Sequence, residues 1–157
     1  MNDFPIRKPN RLQEFDYSEK RAYFVTICTK NKEKLLSTIL PVADSFGNKI
    51  VLTDTGKTVN QSILNISEHY PNVCVDKSVV MPNHVHILFR IVEQDGRMIS
   101  APTIIGSMKK FVSKTLGKQI WQKGFYDHVI RDENDYLSIW KYIDDNPHKW
   151  NVDEYFV

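Results

Sequence analysis

The sequence predicts an α+β fold, a ferredoxin-like sandwich with helices packed on one face of an antiparallel sheet, and three observations lead to it. Short runs of two-residue apolar period alternate with longer runs of helical period along the chain. The strand-like runs 73–80 and 84–92 meet at Met81-Pro82-Asn83, a turn signal that leaves room only for an antiparallel connection. At 157 residues and 41% hydrophobic content the chain can bury one substantial core, so residues 1–157 read as a single domain.

Residues 1–20 carry the basic stretch Arg7-Lys8-Pro9-Asn10-Arg11, have no apolar period and read as an arm. Residues 22–30 are β-branched and aromatic, hence a strand, and a short polar strand or hairpin follows around Lys49 to Thr53. Thr55 to His69 reads as a helix with Val59, Ile63 and Ile66 turned inward. After the strand pair, Ile104, Ile105, Met108, Phe111, Val112 and Leu116 follow helical spacing, while Lys110, Lys114 and Lys118 recur every four residues on another face. A short extended piece at 128–130 leads to the last helix. Asp132 is its N-cap candidate, acids fill its first turn, and Asn146 before Pro147 marks its end.

Within that scaffold, His84-Val85-His86 is the most informative tripeptide. A strand points residues i and i+2 to one face, so the two imidazoles stand about 6.5–7 Å apart along the chain. Val85, Ile87 and Phe89 alternate with them, as in a half-buried sheet. Such a pair can converge on one metal ion. In the last helix, Tyr136, Ile139, Trp140 and Ile143 form an apolar stripe, whereas Tyr142 and Asn146 lie one turn apart on a separate face. If Asn146 joins the histidines at a metal, the same helix carries the Tyr142 hydroxyl there. Tyr136, Tyr126 and Tyr70 are competing tyrosines, but Tyr136 sits on the apolar stripe with no donor residue one turn beyond it.

Four ordered blocks, Tyr23 to Lys30, Met81 to His86, Ile120 to Arg131 and Lys141 to Pro147, resemble the single-tyrosine HUH transposases, and among them the REP-associated tyrosine transposases. The resemblance implies a role for each site residue: His84, His86 and Asn146 bind a divalent metal, Mg²⁺ or Mn²⁺, and Tyr142 is the nucleophile. Imidazole alone suits Mn, Co, Ni or Zn better than Mg, whereas an amide oxygen with waters and a phosphate oxygen is compatible with Mg or Mn. The chemistry has clear requirements. A phosphodiester repels nucleophiles, and a divalent cation on a non-bridging oxygen offsets its charge. A phenol, with a reference pKa of about 10, is a better nucleophile than an aliphatic alcohol, and its phosphodiester stays reactive enough for religation. The implied activity is transposase-type nicking and joining of single-stranded or hairpin DNA, at REP-like or insertion-sequence ends, through a 5′-phosphotyrosine. Two arrangements stay open: a monomer acting in cis, or a homodimer in which one tyrosine helix serves the partner's histidines.

Charge distribution agrees with a nucleic-acid partner. Net charge is only +2, yet Gly96 to Tyr126 contains six cations and no acid, while Asp127 to the end contains eight acids and three cations. Lys109, Lys110, Lys114 and Lys118, with Arg11 of the arm, are the candidate DNA-backbone contacts. Trp121, Phe125 and Tyr126 follow directly and are candidates either for stacking unpaired bases or for the core. His128 reads as an alternative ligand or phosphate contact, and His69 and His148 as surface residues. Two other functions fit the same residues: a non-catalytic DNA or RNA hairpin-binding protein, and a metal phosphodiesterase using water. No apolar leader and no stretch of about 20 apolar residues is present, so a cytoplasmic protein without membrane contact is expected. Cys28 and Cys74 fall in strands with apolar neighbours, as reduced core thiols do.

Overall fold

Alternation along two central strands decides which layer covers which face of the sheet. The computed structural model describes residues 21–41, 48–92, 99–152 and 155. Its elements are β1 (Ala22–Cys28), β2 (Ser37–Pro41), β3 (Asn48–Leu52), α1 (Asp54–His69), β4 (Val73–Val80), β5 (His84–Ile91), α2 (Ala101–Leu116), β6 (Tyr126–Val129) and α3 (Glu133–Asp145). Lys30–Lys32 and Asn146–Val152 form 3₁₀ turns. The four-stranded sheet has the order β4-β5-β1-β6, antiparallel throughout. The expected mixed α+β sandwich is therefore present, with the ferredoxin-like strand order. Among the described residues no helix is long and apolar enough to cross a membrane. The basic arm, with Arg11, lies outside the described residues, as does Arg97.

Val25 and Ile27 of β1 and Val85, Ile87, Phe89 and Ile91 of β5 face one way and pack with α1 and α2, through Val59, Ile63, Ile66, Ile104, Ile105, Met108 and Val112. The inward residues read from the period of α1 are thus the ones buried. The opposite face carries Ala22 and Leu88 against Tyr136 and Ile143 of α3 and Trp150 of the following turn. Helices on one face and a half-buried sheet were expected. The structure corrects both, because α3 covers the histidine face and all eight residues of β5 are buried. Burying the polar side of β5 requires partners, and each polar residue has one. Arg90 donates to Asp76 through Nε at 2.6 Å and Nη2 at 2.8 Å, and the Tyr136 hydroxyl donates to the same carboxylate at 2.6 Å. Burial alone would lower the Arg90 pKa, but the carboxylate outweighs it and the net direction is upward.

Asp76 reaches that position because it is an extra residue. Val75 pairs with Phe89 and Lys77 with Leu88, so the register slips at Asp76 and the edge strand β4 bulges there. Lys77, just past the bulge, pairs with Asp144 of α3 and lies 4.7 Å above the Trp140 ring. One strand thereby clamps both ends of α3. Each helix starts on a side-chain cap: Thr53 accepts from the amide of Gly56, Ser100 from Thr103 and Asp132 from Asp135. Gly117, at φ 71°, terminates α2. Gly56 is needed for a different reason, since a Cβ there would lie 1.8 Å from the Leu36 carbonyl oxygen.

The predicted polar strand at Lys49–Thr53 is the second half of a hairpin, β2 with β3. It braces the end of α3: Asn48 donates its amide to His148 Nδ1 at 2.8 Å and its side chain to the Pro147 carbonyl at 2.9 Å. The chain does not leave the helix abruptly at Asn146-Pro147. Asn146 keeps right-handed helical angles and the path tightens into the 3₁₀ turn. Proline is tolerated there because it opens a new turn rather than interrupting an old one.

Candidate active site

His84 and His86 stand on β5 with ring centroids 4.7 Å apart and planes at 70°. Both are buried. The tautomer of His84 follows from its neighbours. The side-chain amide nitrogen of Asn83 donates to the carbonyls of Tyr155 at 2.6 Å and Lys32 at 3.4 Å, which fixes the amide so that its oxygen faces His84 Nδ1 at 2.8 Å. An oxygen acceptor at Nδ1 requires the proton there, which leaves the Nε2 lone pair of His84 available. His86 Nδ1 is 2.8 Å from Oγ1 of Thr26, its register partner on β1. Burial, and then the proximity of His84, hold the His86 pKa well below the ordinary imidazole range, so this ring is neutral at physiological pH.

The donor set fits a divalent metal. His86 Nε2 is buried and makes no hydrogen bond among the described residues, and the same holds for the atoms His84 Nε2 and Asn146 Oδ1. Imidazoles with Nδ1 tied by hydrogen bonds are the form in which histidine ligands are usually oriented. No group of three or more His, Cys, Asp or Glu side chains able to hold a metal occurs among the described residues. Among the described residues the buried Asn146 amide is a candidate for a third, neutral oxygen donor.

The Tyr142 ring lies 5.3 Å from the His86 ring at 65° and 6.0 Å from Phe24 at 87°, in edge contacts that hold it upright. It is 39% exposed, and with His86, Thr26 and Phe24 it lines an open cavity of about 710 Å³. The tyrosine and the histidine pair belong to the same chain, which is the cis arrangement. The competing Tyr136 is fully buried and spends its hydroxyl on Asp76.

Other predicted residues fall elsewhere. Lys109 turns its ammonium to the carbonyls of Gln122 at 3.0 Å and Gly124 at 2.9 Å, and burial lowers its pKa. Lys110, Lys114 and Lys118 are exposed on and just after α2, across the sheet from the histidines. His128 Nε2 is bonded to Asp135 Oδ2 at 2.8 Å and lines the same cavity as Tyr142. Trp121 is buried in the core, whereas Tyr126 is 61% exposed at the cavity. Sequence reasoning missed Asn83, Thr26, Asp76 and Tyr155, the last with its ring 4.5 Å from that of His84. Asn83 immediately before a ligand candidate was a usable signal but was absorbed into the turn; Tyr155 had none.

No family model matches the chain. It is 33% identical to an uncharacterized protein of Haemophilus influenzae, over 96% of this chain and 93% of that protein. A second protein of that organism, named a candidate REP-associated tyrosine transposase, is 26% identical over 85% of this chain and 74% of its own length. The REP-associated tyrosine transposase of Escherichia coli K12 is 30% identical over 64% of this chain and 60% of its length. Similarity to these proteins supports the REP-associated tyrosine transposase family for this chain. A solved REP-associated tyrosine transposase bound to a REP hairpin shares the fold, with a TM-score of 0.64 and 23% identity over 86% of this chain and 71% of that one. Within one chain, then, the paired imidazoles and the partly exposed phenol of Tyr142 come together.

Proposed function

We propose that this transposase-family chain nicks and rejoins single-stranded, hairpin-bearing DNA with Tyr142 as nucleophile and His84, His86 and Asn146 as ligands of Mg²⁺ or Mn²⁺. The observation that carries the reading is the 5.3 Å approach of the Tyr142 ring to His86 on one cavity. When bound, the cation supplies charge neutralisation at a phosphate oxygen and at the developing transition state. The chain's own residues do the rest. Asn83 and Thr26 hold the imidazole rings, α3 delivers the phenol, and the edge contacts with Phe24 and His86 restrict its rotation, so that little orientational freedom remains to be lost.

In the step itself the phenolic oxygen attacks phosphorus as its proton passes to solvent, a Tyr142–phosphate bond forms, and the P–O3′ bond breaks. The departing 3′-oxygen takes up a proton. Attack on the phosphotyrosine by a 3′-hydroxyl reverses these changes and releases Tyr142, so joining needs no nucleotide cofactor. The test is incubation with labelled hairpin DNA and Mn²⁺, followed by denaturing electrophoresis. A denaturation-resistant adduct that disappears in Tyr142→Phe and persists in Tyr155→Phe supports the reading. Salt-sensitive binding without an adduct assigns the chain to hairpin binding alone, and hydrolysis surviving Tyr142→Phe assigns it to a water-using phosphodiesterase.

A further inference from the structure

Three depressions run together beside the site. A groove of about 900 Å³ is lined by Lys30, Lys32, Lys109 and Lys123, with no carboxylate among its described lining residues. A pocket of about 180 Å³ follows, shared by Lys123 and Tyr126, and opens on the cavity that holds Tyr142. Gln122 lines all three, Lys32 lines the groove and the cavity, and Tyr126 the pocket and the cavity. We propose that this track binds single-stranded DNA, with Lys30, Lys32 and Lys123 on successive phosphates and Tyr126 stacking an unpaired base where the strand enters the cavity. The inference rests on the nicking reading for its direction, toward Tyr142, but the binding stands independently of catalysis.

The chemistry selects this ligand. A cationic groove with an exposed aromatic at its end is how proteins hold unpaired strands without reading sequence. Tyr126 is 61% exposed and begins the edge strand β6, so its ring face is open to a base. Lys109, tied to the Gln122 and Gly124 carbonyls, fixes the loop that presents Lys123. Asn31 and Lys32 hold φ of 58° and 55°, a left-handed conformation that is costly for lysine and persists where surrounding contacts impose it. Those contacts are present. Thr29 Oγ1 donates to the Glu33 carbonyl at 2.7 Å and to the Asn83 carbonyl at 3.0 Å, and the Asn83 side chain donates to the Lys32 carbonyl. The basic turn is thereby pinned to the residue that orients His84.

The experiment measures fluorescence anisotropy of labelled (dT)12 from low to moderate salt. Replacing Lys30, Lys32 and Lys123 by Gln together is expected to reduce the slope of log K against log salt by about 2, since each phosphate contact on a single strand contributes about 0.7. Tyr126→Ala is expected to lose about tenfold in affinity with its slope unchanged. Lys110→Gln/Lys114→Gln/Lys118→Gln, on the other side of the sheet, should keep the wild-type slope. Circular dichroism checks that each variant is folded, and photocrosslinking of 5-iodouracil oligomers to Tyr126 in the unaltered protein gives a readout that needs no variant. A slope lost in the α2 triple and kept in the groove triple overturns the proposal, as does equal affinity for a 12-base-pair duplex, or tighter binding of (rU)12. Groove-dependent binding with no hairpin adduct would remove the nicking reading and leave the track in place. Adduct formation with no groove-dependent binding would do the reverse.

Discussion

Asn83→Ala tests the site at a residue that touches neither phosphate nor metal. Its amide is locked by two carbonyls, and its oxygen dictates where the proton of His84 sits. Removing it leaves a buried Nδ1–H without that acceptor and lets the ring rotate or change tautomer. Loss of such an outer partner typically costs 10–100-fold in metal affinity, about 1.4–2.7 kcal/mol, and the buried donor adds about 1–3 kcal/mol of instability. Asn83→Asp separates the two effects. It keeps an acceptor for His84 but sets a carboxylate against the carbonyls of Lys32 and Tyr155. Mn²⁺ affinity is expected to stay within about threefold of wild type, while thermal stability falls. Titration calorimetry with MnCl₂ reads the affinity and differential scanning calorimetry reads the stability. Folded Asn83→Ala protein binding Mn²⁺ as tightly as wild type would refute the tautomer argument.

Three further outcomes follow from the packing and the charges. Tyr136→Phe deletes one hydrogen bond to a buried carboxylate and should cost about 1.5–3 kcal/mol, lowering Tm by about 3–12 °C in a chain of this size; an unchanged Tm would remove Asp76 as the clamp of α3. Gly56→Ala forces a methyl into the Leu36 carbonyl and should destabilise at or beyond the upper end of overpacking, about 3 kcal/mol, as urea denaturation would read. Burial would raise the Asp135 pKa, but hydrogen bonds from His128 and the Arg131 amide, with the charges of both residues, outweigh it and the pKa is lowered. A depressed carboxylate stabilises the fold above its unfolded pKa of about 3.9 and loses that contribution as pH falls through the folded value. Asp135→Asn should therefore flatten the acid limb of a stability–pH curve below about pH 4, and a limb as steep as wild type would count against the pair.

Much of this architecture was legible because periodicity is a statement about burial. Val59, Ile63 and Ile66 point inward for the reason their spacing suggested, and Asp132 caps α3 as its short side chain allows. The error about the second face has an equally physical cause. His84, His86 and Arg90 alternate with apolar residues, which looks like a wet face, and nothing local says that Asn83, Thr26 and Asp76 will satisfy them in the dark. Partners supplied from other strands leave no period in the sequence. The Tyr142–Asn146 pair was visible as two residues one turn apart, yet the placement of Tyr142 beside His86 depends on the long-range clamp at Asp76 and Lys77. The lysines of α2 recur in a pattern plain in the sequence, whereas Lys30, Lys32 and Lys123, scattered through two short loops, meet only in three dimensions.

The bulge in β4 repays one more thought. Excise Asp76 and every neighbouring pair, Val75 with Phe89 and Lys77 with Leu88, could keep its mate in an unbroken ladder. Pairing therefore does not need this residue. What the surplus position provides is a carboxylate set beneath the helix that carries Tyr142, so a deletion that looks silent in the sheet would be felt first at Tyr136, in the opening turns of α3.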